Sequence, residues 1–264
     1  MLILVINLDR EKKRLQHMRK EFSAHGLAFQ RVAAVDAARL SDETIAAYRK
    51  GKPNFYELGV GEVACFLSHR KCWEIAAESA ENHTLVCEDD LFLGENAGEV
   101  LASGDWMPAD GGIVKVEASR FKTLVGKVPV AEIAGHGVFA LHRDYAGAGA
   151  YIISRDCARE LLALTETFCD PADQFLFNRT VPGWHGRPIY QLMPAVAIQE
   201  VFLKPASGQA LGSALQGERR TKRRTGFDKL RREAARPFEQ LGGVISGVVT
   251  GLFSDRRWVR VPFR

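Results

Sequence analysis

The sequence lacks any run of about 20 apolar residues, the length a helix needs to cross a bilayer. Met1 to Ile6 is apolar, but no basic leader precedes it, Asn7, Asp9 and Arg10 follow at once, and no small-residue cleavage site comes after. It is expected to be a buried strand of a cytoplasmic protein, not a signal peptide. Cysteine is scarce and unpatterned: Cys65, Cys72, Cys87, Cys157 and Cys169 form no C-x-x-C pair and are odd in number. That disfavours a disulfide framework and a zinc knuckle, and predicts small buried apolar side chains. No G-x-G-x-x-G fingerprint occurs. Gly147-Ala148-Gly149-Ala150 is not one, so dinucleotide binding is unsupported. There is no internal repeat and no recognised nucleic-acid-binding motif.

What is present is an ordinary globular composition over 264 residues, enough for one sizeable α/β domain and an appendage. The net charge of +4 is unevenly spread. Residues 218–264 carry 13 Lys/Arg against 5 Asp/Glu, a net of +8, which leaves −4 on residues 1–217. An acidic body with a basic end predicts that the end, not the body, meets a polyanionic surface.

The patterning alternates strands and helices. Residues 2–8 are a strand, Lys12 to His25 a helix closed by Gly26, and Phe29 to Val35 a second strand, together a βαβ unit whose ligands gather at the strand C-termini. Residues 39–58 form a polar excursion. A helix from Gly61-Glu62 to about Ala80 follows, then strands at Thr84–Cys87, Ile113–Glu117, Gly147–Ile153 and Ile189–Ile198, with a helix over Arg155–Leu164. This predicts a mixed α/β sheet with helices on both faces. The domains expected are a catalytic body over 1–206, a Gly/Ser/Ala-rich linker over 207–217, and a basic, amphipathic extension over 218–264.

The sharpest motif is Leu85-Val86-Cys87-Glu88-Asp89-Asp90, an apolar strand ending in three acids. Clustered carboxylates repel unless cations lie among them. Side chains alternate along a strand, so Glu88 and Asp90 point the same way and can hold a hard divalent ion, which in turn bridges phosphates. The alternative is a solvated acidic loop. Asn7, Arg10 and Arg14 lie just past the first strand, where basic groups can meet phosphates or simply face solvent. Ser68 and His69 interrupt an apolar helix face, as structural residues or as site residues. Asp170 and Asp173 lie in a loop, either as a general base or as a helix cap.

In order along the chain, Ile6-Asn7-Leu8-Asp9-Arg10, Arg14, Ala34-Val35-Asp36, Gly61-Glu62, Cys65, Leu67-Ser68-His69, Trp73, Glu88-Asp89-Asp90, Tyr151-Ile152-Ile153-Ser154, Pro171-Ala172-Asp173 and Pro194 to Gln199 resemble glycosyltransferase family 25, the lipooligosaccharide glycosyltransferases. The resemblance spans about residues 2–200. It implies a GT-A-like, Rossmann-type fold and an inverting transfer, commonly of β-galactose from UDP-galactose. Glu88-Asp89-Asp90 looks like that fold's D-x-D motif with Glu in the first place, which makes Asp90 the favoured direct ligand of Mn²⁺ or Mg²⁺ and Glu88 its companion. Asn7, Arg10, Arg14, Asp36, Ser68, His69 and Asp89 are placed by the same resemblance at the UDP-sugar donor. Asp173 is the first choice of base and Asp170 the reserve.

The implied acceptor is a glycan or lipid-linked oligosaccharide of lipopolysaccharide type. Basic and apolar residues alternate in the extension, which suits an anionic membrane and predicts a peripheral enzyme on the cytoplasmic face of the inner membrane; a helical cap on the body, a dimer contact and a disordered basic tail are the alternatives, and nucleic acid is not expected as a partner. Two other readings stay open from the sequence: a non-catalytic relative that binds nucleotide or glycan, and a metal-dependent phosphoryl-transfer enzyme.

Overall fold

The computed structural model describes residues 1–49, 57–165, 170–181, 184–203 and 254–264. The first strand, β1 (Leu2–Asn7), sends Ile3 and Val5 into one apolar layer and Leu4 and Ile6 into the other. A strand buried on both faces reads as a continuous apolar run, which is why this segment resembles a leader peptide in composition. Helix α1 (Lys12–Ala24) buries Met18 and Phe22, one turn apart, and the chain leaves it through Gly26 at φ +68. A residue with a Cβ seldom takes that conformation. β2 (Gln30–Ala33) completes the βαβ unit, and α2 (Asp42–Ala47) begins at Ser41, whose hydroxyl accepts from the Thr44 amide.

Helix α3 (Val60–Glu78) is the longest described helix. It starts where the Glu62 carboxylate accepts from the Gly59 amide at 2.7 Å. Trp73, fully buried, packs beside Phe66 of the same helix at a ring separation of 5.7 Å and anchors the helix against Phe175 at 5.4 Å. Burying a large apolar side chain stabilises by about 1.5–3 kcal/mol, so this cluster fixes the helix and with it every side chain the helix presents. There follow β3 (His83–Glu88), β4 (Leu91–Leu93), α4 (Ala97–Ala102), β5 (Ile113–Lys115), β6 (Glu117–Ala118), β7 (Lys122–Gly126), β8 (Ala131–Ile133), β9 (His136–Ala140), β10 (Ala150–Ser154), α5 (Arg155–Leu164), α6 (Ala172–Phe177), β11 (Ile189–Met193), β12 (Ala197–Gln199) and β13 (Arg256–Arg260).

The main sheet has the order β2-β1-β3-β10-β5-β11-β9-β8. It is mixed: β1 runs parallel to β2 and β3, while β10 is antiparallel to β3 and β5. Helices α3, α5 and α6 contribute to the apolar layer on one face, and α1 and α4 to the layer on the other. This is the expected mixed sheet with helices on both faces. The chain passes from β1 through α1 to β2 on one side and through α3 to β3 on the other. That reversal opens a crevice at the C-terminal ends of β1 and β3.

Three expectations change. Ile189 to Ile198 is not one strand: β11 ends at Met193, Pro194 has no amide hydrogen to continue a ladder, and β12 joins a separate sheet with β4 and β6. Ile113 to Glu117 likewise divides between β5 and β6, which lie in different sheets. Residues 119–140, unassigned from the sequence, hold β7, β8 and β9.

The extension expected over 218–264 ends in the body. β13 pairs antiparallel with β7 from Arg256↔Gly126 to Arg260↔Lys122, and the Arg264 amide donates to Ala195 O at 3.1 Å. The linker and residues 218–253 of the extension lie outside the described residues, as do 204–206. Among the described residues, no helix is long and apolar enough to cross a membrane.

Candidate active site

Strand register assembles the site. In the β1–β3 pairing, Ile6 lies opposite Glu88, so Asn7 and the three acids leave the sheet side by side. The antiparallel β3–β10 pairing puts Ala150 opposite Cys87, and the Glu88 amide donates to Gly149 O at 2.8 Å. β12 closes the other side, with Gln199 opposite Leu91 and the Glu200 amide donating to Asp90 O at 2.9 Å. Four segments distant in sequence thus meet at one sheet end.

Glu88 ends β3, and Asp89 and Asp90 form the turn into β4. Gln199 Nε2 donates to Glu88 Oε2 at 2.8 Å and reaches Asp90 Oδ1 at 3.3 Å, so both carboxylates face one point. Asp89 is held by Asn7 Nδ2 at 2.6 Å. Arg14 spans the set, with Nη1 3.0 Å from Asp89 and Nη2 2.9 Å from Asp90. Arg31 in turn fixes Asn7, through its side-chain oxygen and its carbonyl, each at 3.0 Å.

Three carboxylates against one guanidinium leave an excess of negative charge. Burial pushes the Glu88 carboxyl up, but contact with His69 and the charges of Arg14 and Lys115 outweigh it and hold it below the ordinary glutamate value. Burial raises Asp89 despite Arg14 and Asn7. Asp90 is raised to about 7, first by burial and then by the charge of Glu88, against the pull of Arg14 and Gln199. A group so placed ionises at neutral pH only at a cost, and a cation between the carboxylates relieves it. The paired oxygens of Glu88 and Asp90 are the donor set that Mn²⁺ or Mg²⁺ takes, so the residues present fit a hard divalent ion.

Beside the acids lies a cavity of about 170 Å³ lined by Asn7, Arg10, Arg14, Ser68, His69, Glu88, Asp89 and Asp90, among others. Arg14, expected at the donor phosphates, is buried and committed to Asp89 and Asp90. Arg10 is half exposed at the cavity and ion-paired with Asp36, which also caps a short turn at Ala38. Asp36 itself does not line the cavity, although Val35 and Ala37 do. Ser68 ties α3 to the chain after β2, accepting from the Val35 amide at 2.9 Å and donating to Ala64 O at 2.7 Å. Cys65 is not a fully buried core residue: it is partly exposed and lines the cavity.

Asp170 and Asp173 are not among the cavity residues. Asp170 is buried, at 1% exposure. Asp173 accepts from the Gly147 amide at 3.0 Å and from the Gln174 amide at 2.9 Å. The turn it holds leads straight to Glu88. Gly147 O accepts from the buried Lys115 ammonium, Lys115 is 2.5 Å from the buried Glu117 carboxylate, and Glu117 accepts from the Gly149 amide at 2.9 Å. A Cβ at Gly149 would lie 2.6 Å from Glu117 Oε2 and 2.9 Å from Gln199 Cδ, so only glycine fits there. Burial, opposed by Lys115, sets the Glu117 carboxyl above its ordinary value. Sequence reasoning assigns no role to Lys115, Glu117 or Gln199. A Lys and a Glu two apart in an apolar strand are the one available signal, since such charges enter a core only as a pair.

The profile of glycosyltransferase family 25 (LPS biosynthesis protein) matches residues 1–176. The chain is 30% identical over 231 residues to the lacto-N-neotetraose biosynthesis glycosyltransferase LgtB of Neisseria gonorrhoeae, covering 83% of this chain and 82% of that one. It is 30% identical over 226 residues to the lipooligosaccharide biosynthesis protein lic2B of Haemophilus influenzae, covering 81% and 82%. Among solved structures, a glycosyltransferase involved in glycosylating the major capsid of PBCV-1 aligns with 80% of this chain and 94% of its own at 10% identity and a TM-score of 0.39, a likeness too loose to bear on function. The sequence matches define a glycosyltransferase of lipopolysaccharide or lipooligosaccharide biosynthesis. The chain belongs to glycosyltransferase family 25.

Proposed function

We propose that this protein transfers a hexose, β-galactose from UDP-galactose, with inversion at the anomeric carbon, onto a lipopolysaccharide or lipooligosaccharide precursor, with Mn²⁺ or Mg²⁺ held by Glu88 and Asp90. The observation that carries the reading is the convergence of Glu88 Oε2 and Asp90 Oδ1 on the one amide nitrogen of Gln199, with both acids lining the cavity. The ion supplies neutralisation of the departing diphosphate. Arg14 holds Asp89 and Asp90 in register, which leaves Arg10 as the half-exposed cation facing the phosphates. Asp173 takes the proton from the acceptor hydroxyl as that oxygen attacks the anomeric carbon; a general base has to stand opposite the leaving group. Its bond to the Gly147 amide supports this role by fixing one carboxylate oxygen, while Asp170 remains the reserve. The relatives' names, which concern lacto-N-neotetraose and lipooligosaccharide biosynthesis, support an oligosaccharide acceptor. Contact of residues 218–253 with the anionic cytoplasmic face of the inner membrane belongs to the same reading and rests on their charge.

The test is UDP release from a panel of UDP-sugars, with Mn²⁺ and with EDTA, in the wild-type protein and in Asp90→Ala and Glu88→Ala. Turnover of UDP-galactose that needs metal and disappears in Asp90→Ala is the expected result. Turnover of another donor replaces the sugar but keeps the chemistry. UDP binding with no transfer to any acceptor would make the protein a non-catalytic member of its family, and phosphate release from simple phosphoesters would make it a phosphoryl-transfer enzyme.

A further inference from the structure

The Glu88 carboxylate has two oxygens, and only Oε2 faces Gln199 and Asp90. Oε1 faces the other way, toward α3, where Cys65 and His69 stand one helical turn apart. His69 Nε2 is 3.5 Å from Oε1, and Cys65 Sγ is 3.9 Å from it; the three donor atoms all lie within 4.8 Å of one another. His69 is fully buried, and its Nε2 faces the Glu88 carboxylate without completing a hydrogen bond. A buried ring nitrogen in that condition is costly unless something else binds it.

We infer that Cys65, His69 and Glu88 form a second metal site, for a thiophilic divalent cation of the zinc type. The spacing fits. Zinc bonds of about 2.3 Å to sulfur and about 2.0–2.2 Å to nitrogen and oxygen, in a tetrahedron, separate the donors by roughly 3.3–3.7 Å. The two separations from Glu88, 3.5 and 3.9 Å, need only slight closure, and the Cys65–His69 separation lies within 4.8 Å. One sulfur, one imidazole and one carboxylate select a softer ion than the oxygen pair of Glu88 and Asp90. The fourth position opens on the cavity, which Cys65, His69 and Glu88 all line.

The His69 ring is already oriented for the task. Its Nδ1 lies 2.9 Å from the Tyr151 hydroxyl, which is held by the Trp73 indole at 2.8 Å. In the metal-binding tautomer Nδ1–H donates to Tyr151 Oη and Nε2 keeps its lone pair for the ion. A partner on the far ring nitrogen is the usual device for aiming a ligand histidine. Binding releases the Cys65 thiol proton to solvent and leaves a thiolate on the ion.

Glu88 is common to both donor sets, so an ion at Cys65–His69–Glu88 competes with the ion at Glu88–Asp90. The site itself stands on geometry alone; its effect on turnover rests on the function proposed above. Micromolar zinc then acts as an inhibitor that excess Mn²⁺ relieves.

Cobalt(II) titrated into the purified full chain tests the site directly. The expected spectrum combines tetrahedral d–d bands in the visible with a thiolate-to-cobalt charge-transfer band in the near ultraviolet, both removed by added zinc. Cys65→Ser abolishes the charge-transfer band, and Asp90→Asn retains it. No such band in the wild type, or one that persists in Cys65→Ser, overturns the proposal. X-ray absorption of zinc on the wild-type protein avoids any folding defect in the variant: one sulfur among nitrogen and oxygen scatterers is expected, and a shell without sulfur overturns it. In the assay, half-inhibition by zinc moves at least tenfold higher in Cys65→Ser, each protein being scaled to its own zinc-free rate; an unchanged value also counts against the site. A cobalt–thiolate band without metal-dependent donor turnover removes the proposed function and leaves this site standing; the reverse result removes this site alone.

Discussion

The side-chain amide of Gln199 meets Glu88 at 2.8 Å and Asp90 at 3.3 Å through one nitrogen, across 111 and 109 residues of sequence. The contact depends on β12 lying antiparallel to β4, directly after the acids. A neutral amide can orient two carboxylates without adding charge, and so preserves their affinity for a cation.

Gln199→Ala is therefore expected to weaken Mn²⁺ binding by about 10–100-fold, the usual effect of removing a group that orients metal ligands. Isothermal titration of Mn²⁺ into the wild type and the variant measures it. Equal affinities would show that Gln199 only fills space.

Asp90 makes stability depend on pH in a definite direction. Its folded-state value is raised to about 7 from an ordinary 3.8, so the folded protein holds the proton more tightly than the unfolded chain does. The associated stability is present below the ordinary value and is lost as pH rises through about 7. In EDTA, Asp90→Asn should melt above the wild type at pH 8, and the difference should vanish toward pH 4. Each kcal/mol of relief appears as about 2–4 °C. Below pH 7 the proton also competes with the ion, and Mn²⁺ affinity should fall by about tenfold per pH unit.

The Lys115–Glu117 pair is wholly buried, and both members touch the turn from Gly147 to Gly149. Lys115→Met strands a carboxylate in the core and should cost about 3–5 kcal/mol. The double variant Lys115→Met/Glu117→Leu should recover most of that loss. Urea unfolding of the three proteins decides; a single variant as stable as the wild type would mean that Glu117 is already neutral.

Asp173→Asn keeps an acceptor oxygen for the Gly147 amide and removes the base. Its kcat should fall by about 10²–10⁴-fold while UDP affinity, measured by calorimetry, stays within a factor of about two. A parallel collapse of both would assign Asp173 to the turn and not to the proton.

The sequence made β1, α1, α3 and β3 legible because their apolar residues recur at strand or helix spacing and their ends are marked by Gly26, Gly61-Glu62 and the acids. Strand alternation led to the expectation that Glu88 and Asp90 share a direction; they do meet at Gln199, although Asp90 lies in the turn after β3. The short strands between 119 and 140 were not legible: three to five residues of mixed polarity give no period to detect. Gln199 was visible within the family resemblance, but its contact with the acids depends on long-range register, which no local pattern encodes. Lys115 and Glu117 hid for the same reason, since their partners Gly147 and Gly149 lie some 30 residues away. Cys65 looked like its buried counterparts Cys72, Cys87 and Cys157 because a cavity wall on α3 has the same local composition as a core face.

The return of the chain at β13 changes how the basic segment has to be handled at the bench. Arg256 to Arg260 is zipped to β7 and the Arg264 amide donates to Ala195 O, so the chain after residue 254 is part of the body. A stop codon after residue 217 would strip a strand from the body as well as the basic run, confounding lost membrane affinity with lost stability. An internal excision that rejoins the chain before Ser254 separates the two, and an affinity tag belongs elsewhere than on Arg264.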